Sequence, residues 1–489
     1  MAKRTAVIDI GSNSARMIVC QKSSRYAFHI IHEAKSRVRI SQNSYENGGV
    51  LQEAAISRAL KALKDFHRIA KNLKCTKLLC VATSAVRDAP NRAEFLRRVR
   101  QETEINIKVI DGKKEAYFGA LAAVNLLPKE SDAITIDIGG GSSELALIGD
   151  GKIIQTLSLN LGTIRLKELF YDKKSDYKKI RDFIQNELKN LPTNFKTKKV
   201  IAIGGTARAI AKIVMPKDYP LKALHAYEYD MEKARIILKK ISTSEVLKLK
   251  KYNIKKHRVD TIREGSAILL NILEFIGAQK IVTSGVGVRE GVYLHDLLRS
   301  SAYKFPQNYN PSVRSLCDRF LINENYANSL TKNVLKLFDV LSKLHKIDNS
   351  YKKELFYAAK LSSIGVSIGF YRHNEHTFYM LLNGLNYGFT HPQKLLIAFV
   401  SLYQNKKLPK EEELANYLSL LPDLGVIEWL SFILALGKCL HKNQGRNEFD
   451  FSFENSTLHI ISDKKSEVYL SAECIKELYK PFPIAIAIS

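Results

Sequence analysis

The sequence predicts an α/β protein over roughly its first 298 residues, then an all-helical region from about 312, then a small terminal appendage. Three observations carry this. One strand–turn–strand pattern occurs twice, at 5–20 and 133–148; helix-period and strand-like segments alternate around and after the two copies; and the composition changes beyond Leu298.

The first copy runs Thr5-Ala6-Val7-Ile8-Asp9-Ile10, then a Gly11-Ser12-Asn13-Ser14 turn, then Met17-Ile18-Val19-Cys20. β-branched residues bounded by Gly, Ser and Asn are the signature of paired strands. The second copy is Ala133-Ile134-Thr135-Ile136-Asp137-Ile138, Gly139-Gly140-Gly141-Ser142-Ser143-Glu144 and Leu145-Ala146-Leu147-Ile148. Both first strands close on an Asp, so two related half-domains are expected. Between the copies, apolar residues at Leu51, Ile56, Leu60, Leu63, Phe66, Ile69 and Leu73 recur at helical spacing. A strand is expected over 77–82, a helix over 91–103 with Asn91 as N-cap, a strand over 107–110 and a helix over 114–127 that stops at Pro128. Strand-into-glycine turns return at 200–206 and 280–285. The stretch 300–311, with Pro306, Asn308, Asn310 and Pro311, reads as a linker. Helical patterning then runs to about Lys442, and short strands are expected at 449–453 and 468–470.

Composition excludes several classes. Lys and Arg number 76 against 49 Asp and Glu, and 76 − 49 gives +27. Two readings stand: lysine-rich solvated faces, as in Lys178-Lys179, Lys196-Thr197-Lys198-Lys199 and Lys406-Lys407, or a polyanionic partner. No nucleic-acid motif favours a specific nucleic-acid partner. The longest apolar stretch, Ile427 to Gly437, contains Glu428 and falls short of the ~20 residues of a membrane helix, so no membrane partner is expected. Met1-Ala2-Lys3-Arg4 leads into a strand pattern, not an apolar signal segment. Cys20, Cys75, Cys80, Cys317, Cys439 and Cys474 form no C-x-x-C pair and read as buried thiols, which points to the cytoplasm.

Gly- and Ser-rich turns at strand ends let backbone N–H groups approach phosphate oxygens. A carboxylate beside them can hold Mg²⁺, which neutralises those oxygens. Taken singly, Gly11–Ser14 is also an ordinary hairpin turn, and Gly139–Ser143 without its flanking strands would be a linker.

Five segments, 9–14, 82–89, 137–144, 204–208 and 284–291, carry a resemblance to the exopolyphosphatase/guanosine pentaphosphate phosphatase family of the actin-like ATPase superfamily. The resemblance covers roughly residues 4 to 298 and implies two actin-like (ribonuclease H-like) domains around a cleft. We place them at 1–124, with a returning helix near 288–300, and at 125–298, followed by a mainly helical region over 312–489.

Carried over by motif, Gly11, Ser12, Asn13 and Ser14 would form one phosphate loop, and Gly139, Gly140, Gly141, Ser142 and Ser143 the other. Asp9, Asp137 and Glu144 would organise Mg²⁺. Glu115, in Gly112-Lys113-Lys114-Glu115-Ala116, matches the family's catalytic glutamate, although Lys114 replaces the usual first Glu. We expect Lys113, Lys114 and the helix dipole to keep Glu115 ionised; by residue type alone it is also good first-turn capping. Arg87 and Arg16 are candidates to face an anionic substrate, and Arg289 with Glu290 reads as a structural pair.

The segment 354–376 is similar to the His-Asp phosphohydrolase-like domain of the family's longer members. Ser362 and Ser363 stand where that chemistry needs His and Asp, and hydroxyls are poor transition-metal ligands. His345, His373, His376 and His391 read as core or surface side chains. The region is expected to be catalytically silent, serving substrate grip or dimerisation. The reading is therefore Mg²⁺-dependent hydrolysis of terminal phosphate from inorganic polyphosphate or guanosine pentaphosphate, with guanosine tetraphosphate as nucleotide product and a homodimer as the assembly. An ATP-dependent kinase of the same superfamily and a non-catalytic polyphosphate or alarmone sensor are the rivals.

Overall fold

The computed structural model describes residues 3–405, 407–462 and 468–488, so Lys406 of the lysine run at 406–407 lies outside the described residues. The chain divides into two compact units, one ending at Tyr309 and the other beginning at Asn310.

The first unit is built on two mixed sheets. The first has the order β3-β2-β1-β4-β5, from β1 (Arg4–Ile10), β2 (Ala15–Lys22), β3 (Phe28–Ser36), β4 (Lys77–Ala82) and β5 (Ile107–Val109). β1 pairs antiparallel with β2 and parallel with β4. The second comprises β6 (Ala133–Ile138), β7 (Ser143–Gly149), β8 (Lys152–Leu159), β9 (Lys199–Ile203), β10 (Glu228–Asp230) and β11 (Lys280–Thr283). Its order is β10-β11-β9-β6-β7-β8, with β6 antiparallel to β7 and parallel to β9. The repeated sequence pattern is thus a repeated topology, and the unit has the two actin-like domains of the expectation.

Each central strand is buried along most of its length, as both faces of a covered sheet require. Leu60, Leu63 and Phe66 of the helix Glu53–Asn72 pack into the core of the first sheet with Ile8 and Met17. The helix Val288–Leu297 returns to the first sheet, where Tyr293 meets Phe28 at 4.8 Å between ring centroids. Asn91 does sit at the N-cap of the helix Arg92–Thr103 but does not cap it. Its Nδ2 donates to the Leu51 carbonyl and its Oδ1 accepts from the Leu51 N–H. The edge strands β3 and β8 went unpredicted because polar residues interrupt their apolar runs.

The second unit is helical over Pro311–Leu440, with a three-stranded sheet of β12 (Phe449–Glu454), β13 (Thr457–Ser462) and β14 (Ala485–Ile488). Pro311, read as linker, instead begins a helix, because the Asn310 side chain accepts from the Ser312 and Val313 N–H groups. Residues 468–470, expected as a strand, lead into the helix Tyr469–Lys476. Cys439 and Cys474 are disulfide-bonded, which corrects the reading of six free thiols. The cysteine argument for a reducing compartment lapses with it. His345 is structural: Nε2 lies 2.8 Å from the Phe338 carbonyl, and Nδ1 accepts from the Ile347 N–H. Among the described residues no helix is long and apolar enough to cross a membrane.

Candidate active site

The two hairpin turns of the first unit line one cleft of about 140 Å³. Their backbones are built alike: the Gly11 N–H donates to the Ser14 carbonyl at 3.2 Å, and the Gly139 N–H to the Ser142 carbonyl at 2.9 Å. The loops approach so closely that a Cβ on Gly140 would stand 2.6 Å from the Ser12 Cβ. Gly204 has φ +88°, and a Cβ there would run into Asp137 Oδ1. Only glycine lets the helix Gly204–Val214 start against that carboxylate.

Asp9 and Asp137 occupy the same place, one residue before the end of β1 and of β6. Glu144 reaches the cleft from β7, directly across from Asp137 in the strand register. Its Oε1 accepts hydrogen bonds from Ser142 at 2.5 Å and from Ser158 at 2.9 Å. Glu115 stands in the first turn of the helix Gly112–Leu126, which is capped by Asp111 accepting from the Lys114 N–H at 2.7 Å. Arg87, at the end of a short helix after β4, donates from Nη1 to Glu115 Oε2 at 3.2 Å and to the Ile110 carbonyl at 3.3 Å.

This arrangement corrects several expectations. Lys114 lies over the Tyr117 and Phe118 rings and Lys113 is exposed, so the cation beside Glu115 is Arg87. Arg87 is therefore engaged with a carboxylate and not with the open cleft. Nor is Glu115 held ionised by its surroundings. Burial, followed by the charge of Glu144, pushes its carboxyl well above the usual range, with Arg87 opposing. Of the second loop, Gly139 and Gly140 line the cleft, whereas Gly141, Ser142 and Ser143 brace it from behind. The Gly141 carbonyl accepts from Arg165, Ser142 bonds Glu144, and the Ser143 hydroxyl donates to the Leu161 carbonyl. All four first-loop residues, Gly11 to Ser14, line the cleft.

The cleft gathers charges of both signs. Burial raises Asp9 to about 6, with Arg16 opposing, raises Asp137, and raises Glu144 to about 8. Lining the cleft with them are Arg16, Arg208, Arg258 and Arg289. Burial and then the like charge of Arg16 lower both Arg208 and Arg258, the latter to about 10. Cations that depress one another in this way make a site for an anion. Arg289 does pair with Glu290, at 3.8 Å, and also with Glu33 at 2.9 Å, while Glu290 Oε2 accepts from the Gly287 N–H. Both also line the cleft.

Sequence reasoning missed Ser84, Arg208 and Arg258 as cleft residues. Ser84 Oγ lies 3.1 Å from Ser12 Oγ, and the Arg258 guanidinium lies over Gly205. Arg208 and Ser84 fall inside the motif segments, so position within them was the available signal. Arg258 has only a basic run, Lys255-Lys256-His257-Arg258, indistinguishable from a solvated face.

A divalent cation fits the carboxylates of the cleft. Asp9 Oδ1 is buried without a hydrogen-bond partner, and neighbouring carboxyls destabilise one another's charge. Among the described residues, however, no three His, Cys, Asp or Glu side chains form a ready-made metal site. The trio Asp9, Asp137 and Glu144 is therefore not a complete ligand set, and Mg²⁺ characteristically completes its shell with water and substrate phosphate.

Residues 17–300 match the Ppx/GppA phosphatase family, and residues 310–476 match its domain III. A bifunctional 3-dehydroquinate synthase/phosphatase of Fusobacterium nucleatum is 29% identical over 303 residues, which is 57% of this chain and 44% of the relative. The chain thus spans less than half of that relative's length. The crystal structure of the Aquifex aeolicus Ppx/GppA family member superposes with a TM-score of 0.52 at 25% identity, covering 62% of this chain and 99% of that one. An exopolyphosphatase from Cytophaga hutchinsonii shares the fold with a TM-score of 0.56 at 22% identity, covering 62% of this chain and all of that one, at 100%.

Proposed function

Given that the chain belongs to the Ppx/GppA phosphatase family, we propose that its cleft hydrolyses the terminal phosphate of inorganic polyphosphate, guanosine pentaphosphate, or both, in a Mg²⁺-dependent reaction. The observation that carries this reading is one cleft lined by Asp9, Glu115, Asp137 and Glu144 together with Arg16, Arg208 and Arg258, and by two glycine turns. Phosphoryl transfer needs little covalent help; positioning and charge stabilisation do most of the work.

In this reading the N–H groups and hydroxyls of 11–14, with Gly139 and Gly140, cradle the terminal phosphate, and Arg16, Arg208 and Arg258 hold the anionic chain behind it. Glu115 Oε2 is held by Arg87, while Oε1 accepts no hydrogen bond from the described residues. In the ionised carboxylate, Oε1 is then the atom that orients the attacking water and takes its proton. Asp9, Asp137 and Glu144 would hold Mg²⁺, which when bound neutralises charge on the transferring phosphoryl oxygens. The homodimer and the cytoplasmic location belong to the same reading; sedimentation and cell fractionation test them.

The deciding experiment is phosphate release from long polyphosphate and from guanosine pentaphosphate, side by side, with Mg²⁺ and with EDTA. Release from polyphosphate without any nucleotide separates this reading from a kinase or ATPase, and turnover separates it from a sensor. No release from either substrate would sink it.

A further inference from the structure

The second unit holds a half-open cavity of about 1610 Å³, lined by residues between 320 and 478. Ligand pockets for drug-sized molecules run roughly 300–1,000 Å³, so there is room for a nucleotide. The wall has two characters. Phe320, Tyr326, Phe378 and Tyr403 supply ring faces, while Lys438, Lys442 and Gln404 supply donors.

The donor side is unfinished. Gln404 is 1% exposed; its Oε1 accepts from Lys438 Nζ at 2.7 Å, and its Nε2 is buried with no partner. A buried amide left unpaired carries a desolvation cost that a bound acceptor removes. Lys438 and Lys442, four residues apart, have no carboxylate partner among the described residues. Like charges at that spacing repel. Burial, then the Lys442 charge, lowers the Lys438 ammonium to about 7, so the cavity as it stands disfavours its own cation. The carboxylates at the rim do not answer these lysines: Glu375 pairs with Arg372, and Glu413 accepts from the Tyr403 hydroxyl at 2.7 Å. His373 also lines the cavity with its Nδ1 buried and unpartnered, and burial lowers it to about 4, so it is neutral at pH 7. A neutral imidazole nitrogen suits the polar edge of a heterocycle.

We propose that this cavity binds a ring-bearing organic phosphate of the nucleotide type, with phosphate at Lys438, Lys442 and Gln404 Nε2 and the ring among Phe320, Tyr326, Phe378 and Tyr403. Stacking on aromatic faces and charge-assisted hydrogen bonds are the two contributions the wall offers. The site lies wholly within the second unit and does not depend on the reading of the cleft.

The test is photolabelling of the full-length chain with 8-azido-ADP, followed by peptide mapping. Label is expected in peptides containing Tyr326, Phe378 or Tyr403, and ADP should displace it at least about tenfold better than adenosine or pyrophosphate. Gln404→Glu places a carboxylate against Lys438, so it should keep the thermal unfolding profile and lose the label; Lys438→Gln should lose it as well. Label confined to residues 3–309, displacement by adenosine as effective as by ADP, or full labelling of a folded Gln404→Glu protein would each overturn the proposal.

Discussion

The two hairpins of the first unit are the same device with one exchange. In the first, the strand register sets Asp9 opposite Arg16; in the second, it sets Asp137 opposite Glu144. Cross-strand partners share a face of the sheet, so each pair presents its charges together to the cleft. The first hairpin offers a carboxylate with a guanidinium, which suits phosphate alongside a cation. The second offers two carboxylates, which suits a cation alone. A duplicated backbone pattern can thus yield an asymmetric site through a single change of sign.

The largest effect expected lies outside both hairpins and shows what they serve. Glu115→Gln keeps the size of the side chain and removes the base, so turnover should fall by ~10²–10⁴ with little change in substrate binding. Near-parental kcat would remove Glu115 from the catalytic role and leave the hairpins without a common target.

A smaller effect sharpens the claim that Asp9, Asp137 and Glu144 together take the cation. With Glu144 at about 8 and Asp9 at about 6, Mg²⁺ must displace protons to bind. Affinity should therefore rise by roughly 10- to 100-fold between pH 6 and pH 8, with proton release visible by calorimetry in buffers of differing ionisation heat. Affinity independent of pH would mean that these carboxyls do not bear the ion.

The same shifts predict a cost in stability. For Asp9 the folded value, about 6, lies above the ordinary 3.8, and for Glu144 about 8 lies above 4.5. The folded protein then binds more protons, and stability is lost as pH rises through these windows. Asp9→Asn or Glu144→Gln should stabilise the metal-free protein at pH 8 by on the order of 1–3 kcal/mol, raising its unfolding midpoint, while lowering activity. A lowered midpoint for both would show that the buried carboxylates stabilise the fold.

These charges also mark how far the sequence could be read. Both hairpins, their aspartates and the first loop were legible because alternating apolar residues and glycine turns are local signals. The role of Arg87 was not, because its partner Glu115 is brought beside it only by the packing of the helix Gly112–Leu126. The pairing of Cys439 with Cys474 across 35 residues was hidden for the same reason. Val468-Tyr469-Leu470 looks like a strand by residue type, yet the chain enters a helix there, which tertiary context decides. Burial likewise works against the ionised form of Glu115, which a helix N-terminus and nearby lysines were expected to favour, because they do not reveal how little water reaches the carboxyl.

The smallest effect concerns the +27 charge beyond the cleft. If basic surface tracks a long chain, KM for long polyphosphate should rise steeply from low to physiological salt at constant free Mg²⁺, and KM for guanosine pentaphosphate only mildly. Charges beyond the ~8 Å Debye length contribute little to a short substrate. Equal slopes would return the surplus lysines to solvated surface.

The exchange of sign between the hairpins is tested most directly by Mg²⁺ titrations of phosphate release for Arg16→Gln and Glu144→Gln beside the parent protein. Arg16→Gln should raise substrate KM by about tenfold or more and leave the Mg²⁺ half-saturation unchanged; Glu144→Gln should shift the Mg²⁺ half-saturation by a similar factor and change substrate KM little. Two variants with the same shift in both constants would contradict the division of labour.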